Sequence, residues 1–330
     1  MRKLGLMVVV ALLLTACTPP MAEESFEGVL ATRETTTQAA GESLVEMIGA
    51  EPDLVFFLGM LNSTGMMAQL QDGGPYTIFA PSNEAFTKLG IATTQIDPEA
   101  LREVILYHIA FGQMASTELG DTAESLAAQP LTFTTDGDTI LVDGYAEITR
   151  PDIVVAEGVV HIVDSLLLPP ETGAEKSMWG VLVDDGRFST LTNLLAGSNT
   201  MYTLRFGISI DGYLAPVDAA FAQLDPIMLS DLQTDVDLRE TVFHNYYLLR
   251  PDGWPSGVPL LTADIAQMDS LTTRVGQIGY RTEKISVASR ADGLYIGGAL
   301  VVAGDLTATN GTVQGIDKVI FPQAVLSHDS

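Results

Sequence analysis

The chain has 330 residues, of which 42 are acidic and 16 basic, and carries a formal net charge of −26. Such a surface repels phosphate backbones and anionic lipid, which argues against nucleic-acid binding. A single cysteine rules out an internal disulfide, and the length suits about two ordinary domains, each able to bury its own core.

Arg2 and Lys3 open the chain, an apolar run follows from Leu4 to Leu14, and Leu14-Thr-Ala-Cys17 ends it. The run is too short for a permanent membrane span and has the layout of an export signal, residues 1–17. Leu-Thr-Ala-Cys resembles a bacterial lipobox, which implies that the processed chain begins at Cys17 with palmitate-class acyl chains on its thiol and amine. The other reading is a cleaved secretory signal with an incidental cysteine. Acyl chains, at about 0.8 kcal/mol per buried methylene, would hold the protein on a membrane without a spanning helix. Thr18 stands where an aspartate would signal inner-membrane retention, and so resembles the default for outer-membrane sorting. Residues 18–41 are polar, small and without periodicity, as in a flexible tether.

Apolar patterning starts near Ser43. The stretch TIFAPSNEAF, Thr77 to Phe86, predicts a strand ended by Pro81 and a helix from Glu84 to Leu89, capped by Ser82 or Asn83. The alternative makes Asn83 a ligand-binding or catalytic carboxamide. Next, Leu101, Val104, Ile105 and His108 recur at helical spacing, which puts His108 on the core side as a hydrogen-bonded structural group or, alternatively, a base or ligand. Asp136-Gly137 predicts a hairpin turn, and Gly158-Val-Val-His-Ile-Val-Asp164, containing His161, leads to Pro169 and a linker at 170–176.

The same landmarks recur in the same order. Leu214-Ala-Pro-Val-Asp-Ala-Ala-Phe221 matches Phe79 to Phe86, with Asp218 in the place of Asn83. Leu238 to Asn245 matches Leu101 to His108, which would set Asn245 where His108 stands. Asp292-Gly293 repeats the turn, and Gly311 to Asp317 repeats Gly158 to Asp164 with Gln314 replacing His161. These are two copies of one domain, expected at 42–169 and 177–323 with a tail at 324–330. An insertion of about 16 residues in the second copy holds the Pro/Gly-dense loop Arg250 to Pro259. There Trp254 is either a contact anchor for a partner or folded back over its own domain.

No nucleophile elbow, zinc-protease helix, phosphate loop or dinucleotide fingerprint occurs. Four histidines and one lipidated cysteine are poor material for a transition-metal site, and the Asp-rich turns lack the spacing of an EF-hand. An enzyme reading would have to bring His108 and His161 into one cleft of the first copy.

Both copies resemble fasciclin domains. That family carries a first box Thr-x-Phe-Ala-Pro-(Ser/Thr)-(Asn/Asp)-x-Ala-Phe, a Tyr-His pair, and a second box Asn-Gly-x-(Val/Ile)-His-x-(Val/Ile)-Asp-x-(Val/Leu)-Leu-x-Pro. The first copy has Thr77 to Phe86, Tyr107-His108 and Gly158 to Pro169, with Glu157 in place of the box asparagine; the second keeps Ala215-Pro216, Asp218, Phe221, Asn310-Gly311 and Asp317. The resemblance implies an α+β chain of two fasciclin-like domains, each a wedge-shaped β-sandwich with several helices. It also implies adhesion or protein and glycan binding without catalysis, with no cofactor and no metal. Asn83, His161, Asp164, Asp218 and Asp317 are then structural motif residues. In animal relatives adhesive activity is assigned to the Tyr-His region and to an Asp-Ile pair before the second box. Those positions here are Tyr107, His108, Asp152 and Ile153, which join Trp254 as candidate partner-binding residues. The expected partners are a cell-envelope protein or an extracellular polysaccharide, and the membrane through acyl chains on Cys17. The expected location is the outer membrane.

Overall fold

A computed structural model describes residues 42–89, 96, 98–172, 176–207, 211–255, 258–275, 281–322 and 325. Cys17, the export signal and the tether lie outside the described residues, as do 173–175 of the linker and all of the tail but Val325.

The first repeat begins with three helices, α1 (Leu44–Ala50), α2 (Val55–Ser63) and α3 (Met66–Gln71). Ser43 starts α1 with a capping box: its Oγ accepts from Glu46 N at 3.2 Å and Glu46 Oε2 accepts from Ser43 N at 3.0 Å. Strand β1 (Tyr76–Pro81) runs into α4 (Asn83–Leu89), then come α5 (Pro98–Tyr107) and β2 (Ile109–Phe111). The repeat is completed by β3 (Thr122–Glu124), β4 (Pro130–Asp136), β5 (Thr139–Val142), β6 (Ala146–Val155) and β7 (Gly158–Val163). The strands form one sheet in the order β2-β1-β7-β6-β5-β4-β3, with β1 and β7 parallel neighbours among its interior strands.

Double burial explains why the central strands read as unbroken apolar runs. Ile78, Ala80, Val160 and Ile162 face a core shared with the helices, while Phe79 and Val163 face a second core with Phe133, Val142 and Ile148 inside the curved sheet. His161 lies on that second face and stacks on Phe79, ring centroids 5.5 Å apart. Gly158 is required by close approach: a Cβ there would stand 1.9 Å from the Tyr76 carbonyl oxygen, and its φ is +148°.

The second repeat follows the same plan with α6 (Met178–Asp185), α7 (Ser189–Leu195), α8 (Asn199–Phe206), β8 (Gly212–Pro216), α9 (Asp218–Phe221), α10 (Pro226–Thr234), α11 (Val236–His244) and β9 (Tyr247–Leu248). After α12 (Thr262–Ile265) come β10 (Ser270–Val275), β11 (Arg281–Arg290), β12 (Gly293–Ile296), β13 (Ala299–Ala308) and β14 (Gly311–Ile316). Here the strands close into a barrel, β10-β11-β12-β13-β14-β8-β9. The turn from β11 to β12 falls one residue earlier than the dipeptide predicts, on Ala291-Asp292, with Gly293 paired to Arg290 as the first residue of β12.

The two repeats form one compact unit. Met201 and Tyr202 of α8 are buried within the helix-side core of the first repeat, and the Tyr202 hydroxyl donates to Leu166 O at 2.8 Å. Among the described residues no helix is long and apolar enough to cross a membrane.

Candidate functional site

The motif residues act as clamps on helix ends. The first N–H groups of a helix have no partner within it, and a side-chain oxygen from elsewhere in the fold can take them. Ser82 caps α4 locally, its Oγ accepting from Ala85 N at 3.2 Å. Asn83 does something else: Oδ1 accepts from Phe56 N at 3.2 Å and Nδ2 donates to Pro52 O at 2.8 Å, so it caps α2. Asp218 likewise caps α7, accepting from Thr190 N at 2.7 Å and Ser189 Oγ at 2.8 Å, while α9 has no side-chain cap of its own. Of the two caps expected for α4, Ser82 is the one that serves, while Asn83 and Asp218 each cap a different helix. A second clamp joins the box-two position to the first helix, since Glu157 Oε2 accepts from Leu44 N at 2.7 Å and Asn310 Oδ1 from Met178 N at 2.8 Å. The exchange of asparagine for Glu157 preserves the acceptor.

Asp152 forms a third clamp. It holds a left-handed backbone, φ 65°, and its carboxylate accepts from Ser116 N at 2.7 Å and Ser116 Oγ at 2.5 Å, capping the start of the short helical turn Ser116–Glu118. Asp305, at φ 60°, does the same to Thr262 at the start of α12. The Ser116 hydroxyl, then its N–H, holds the Asp152 carboxyl below the usual carboxylate range. Ile153 is partly buried against the helix-side core. Asp164 and Asp317 close their hairpins, accepting from Glu147 N at 2.8 Å and Leu300 N at 2.7 Å; Asp164 also pairs with Lys88 at 2.9 Å.

The histidines are spent inside the fold. His108 donates from Nδ1 to Val104 O at 2.7 Å and accepts at Nε2 from Leu167 N at 3.0 Å, and burial pushes its pKa down to about 4. His161 accepts at Nδ1 from Asp152 N at 3.1 Å and donates from Nε2 to Met114 O at 3.0 Å; burial lowers it too. Gln314 reproduces both bonds, with Oε1 accepting from Asp305 N at 2.8 Å and Nε2 donating to Leu260 O at 3.3 Å. The rings share no cleft: both are fully buried, with partners on both nitrogens.

The register corrects the expected match of His108 with Asn245. Phe79 N donates to His108 O and its equivalent Leu214 N to Tyr246 O, each at 2.9 Å, so Tyr246 is the counterpart of His108. Its hydroxyl accepts from Ile320 N at 2.6 Å, where His108 accepts from Leu167 N. Asn245 then faces the position of Tyr107 and accepts from Thr273 Oγ1 at 2.8 Å.

Of the candidate contact residues, Tyr107 and His108 are both buried, and His108 presents no side-chain surface to a partner. Trp254 is partly buried against the core of its own repeat and donates from Nε1 to Val258 O at 3.0 Å. Tyr107 points instead toward a cavity of about 460 Å³ between the repeats. Its walls include Tyr107, Asp143 and Tyr145 from one repeat and Trp179, Asn193 and Arg205 from the other, with Pro169 and Pro170 between. Tyr107 donates to Asp143 Oδ2 at 2.9 Å; burial raises the Asp143 carboxyl, and burial followed by the charge of Asp143 raises the Tyr107 hydroxyl. Arg205 pairs with Glu171 of the linker. Repeat-based reading missed Trp179, Asn193 and Arg205 because they lie outside the matched landmarks. Among the described residues no group of three His, Cys, Asp or Glu side chains is placed to hold a metal ion.

A fasciclin-domain family model matches residues 52–169 and 186–322. Human Periostin is 30% identical over 216 residues, 63% of this chain and 24% of its own length. The cell surface glycolipoprotein MPB83 of Mycobacterium bovis is 31% identical over 115 residues, 34% of this chain and 52% of its own. The chain spans about a quarter of the length of Periostin and of the Sus scrofa protein ig-h3. A solved FAS1 domain pair from the insect cell adhesion molecule Fasciclin I aligns over 82% of this chain and 98% of its own, with a TM-score of 0.38 at 17% identity.

Proposed function

This chain belongs to the fasciclin family, and from that membership we propose that it works by binding, as an exported, lipid-anchored protein of the cell envelope. The observation that carries this reading is the use of the motif side chains. His108 and His161 are buried and bonded to the backbone, and Asn83 and Asp152 are engaged as helix caps, which leaves partner recognition to the rest of the surface and to the cleft between the repeats. The lipobox-like Leu14 to Cys17 supports the anchor, and a cell-surface lipoprotein among the relatives is consistent with it.

The cleft suits one of the two partner classes best. Its volume lies in the range of small-ligand sites, and aromatic and proline walls beside a carboxylate and an amide match the alternating apolar and hydroxyl faces of sugar rings. An extracellular polysaccharide is therefore the favoured partner, bound by the end or a short run of its chain. The chain has two tryptophans, so Trp254→Phe leaves Trp179, at the cleft, as the sole tryptophan, which is excited selectively over tyrosine. Polysaccharide isolated from the native envelope should shift Trp179 emission, and Asn193→Ala, at an exposed position, should weaken the titration several-fold. An unmoved emission at saturating polysaccharide rejects the cleft as the site. Failure of the full chain to be retained on envelope material, together with unchanged attachment in a deletion strain, rejects binding as the function. Cys17→Ser should abolish uptake of an alkyne-palmitate probe, and uptake that persists would reject the anchor.

A further inference from the structure

Glu240 and His244, one turn apart on α11, are 3% and 1% exposed, and the function proposed above uses neither. Glu240 Oε1 accepts from Asn199 N at 3.0 Å and Oε2 from Thr200 Oγ1 at 2.9 Å, and Oε2 lies 3.1 Å from His244 Nδ1. Nδ1 is also 2.8 Å from the Glu240 carbonyl oxygen. Carbonyl and carboxylate oxygens only accept, so Nδ1 carries a hydrogen. Nε2 stands 2.9 Å from Asn199 Oδ1. The orientation of that amide is set at its other end, where Nδ2 is 3.0 Å from Lys88 O in the first repeat, again a group that only accepts. Oδ1 therefore faces the ring, and Nε2 carries a hydrogen as well. A ring protonated on both nitrogens is an imidazolium.

We propose that cationic His244, paired with Glu240, is a proton-dependent latch between the repeats: it orients Asn199 onto the Lys88 carbonyl, and loss of its proton to solvent weakens that contact. Once Nε2 is bare, its lone pair faces that of Asn199 Oδ1. Turning the amide over restores the bond to the ring but sets Oδ1 against Lys88 O, so one buried hydrogen bond is lost either way. Burial works to raise the Glu240 carboxyl, yet the hydrogen bonds from His244, Thr200 and Asn199 hold it below its ordinary range, which keeps the counter-charge in place. The ring's other ionisable neighbour is Tyr247 of β9, centroids 5.5 Å apart, with Arg274 of β10 acting on Tyr247. From α8 come the neutral Asn199 and Thr200, and from α4 only a carbonyl, the Lys88 ammonium being held by Asp164. The latch is tightest at low pH and weakens as pH rises. It stands whether or not the cleft takes a ligand, although α8 also carries Arg205 of the cleft wall.

Imidazole ¹⁵N spectra of the full chain test the first step, with His108 and His161 as internal controls that each keep one bare nitrogen. His244 should show two protonated nitrogens in mildly acidic buffer and lose one as pH is raised; a bare nitrogen throughout overturns the latch. For the second step, spin labels at Asp72→Cys and Ile227→Cys in a Cys17→Ser chain, both exposed positions, report the separation of the repeats. A narrow distance distribution at low pH should broaden on raising the pH, and His244→Leu, which has no donor for Asn199 Oδ1, should be broad at every pH. Distances independent of both pH and the substitution, in a chain that remains folded by circular dichroism, overturn it equally.

Discussion

His108 shows what burial does to a histidine whose nitrogens are both engaged. The folded ring has its pKa near 4 against 6.5 for a free one, so in that window the unfolded chain binds a proton there and the folded chain does not. A depressed folded pKa means stability that is fully present above 6.5 and lost as pH falls toward 4, by about 3 kcal/mol at the limit. His108→Gln can keep an acceptor for Leu167 N without titrating. The acid limb of a plot of urea midpoint against pH should therefore flatten in the variant, and an unchanged slope would show that His108 is not its source. The periodicity of Leu101, Val104 and Ile105 was sufficient to put His108 on the core side, since helical geometry alone sets that face. The identity of its counterpart was not legible: Asn245 and Tyr246 are adjacent, and only the β8–β9 register distinguishes them.

At the scale of elements, each repeat hangs its helices on the sheet through acceptors that project from strand ends and bulges. Asp152 sits in the irregular segment of β6 opposite β7 and reaches Ser116 across 36 residues of sequence. Asp152→Ala should lose a cap worth about 1 kcal/mol and add about 1 kcal/mol for a non-glycine residue held left-handed. Asp152→Asn, which tolerates that backbone and keeps an acceptor, should lose much less. Equal midpoints for the two variants in urea denaturation would contradict the clamp. The same pair separates clamp from contact residue: an Asn variant with native stability but no binding to envelope material would return Asp152 to the partner surface. Turns and hairpins were legible from the chain, because Asp-Gly and the strand-Pro-Ser sequence act within a few residues. The target of Asn83 was not, because its oxygen could satisfy the N–H groups of its own helix or those of α2.

For the whole molecule, the junction between repeats behaves as part of the first core. Tyr202 is fully buried there, and its hydroxyl is bonded to Leu166 O. Such a junction couples the unfolding of the two repeats. Calorimetry of the intact chain should give one transition, whereas Tyr202→Ala, at about 3–5 kcal/mol for a large-to-small change, should split it in two. Two transitions already present in the unaltered chain would show that the repeats fold independently. Internal repetition cannot reveal such a residue, since the buried side chains of α3, Met66, Met67 and Leu70, pack into the core of their own repeat.

The chain by itself determined that there are two copies of a fasciclin domain, where their boxes lie, and which helix face His108 joins. Those features follow from backbone periods and turn chemistry that operate over a handful of residues. Tertiary structure alone decided that the boxes clamp distant helices, that Tyr246 takes the place of His108, and that a cleft and a charged latch lie where the repeats meet. A hydrogen-bond donor is satisfied by any acceptor brought within about 3 Å, and only the folded chain determines which acceptor that is.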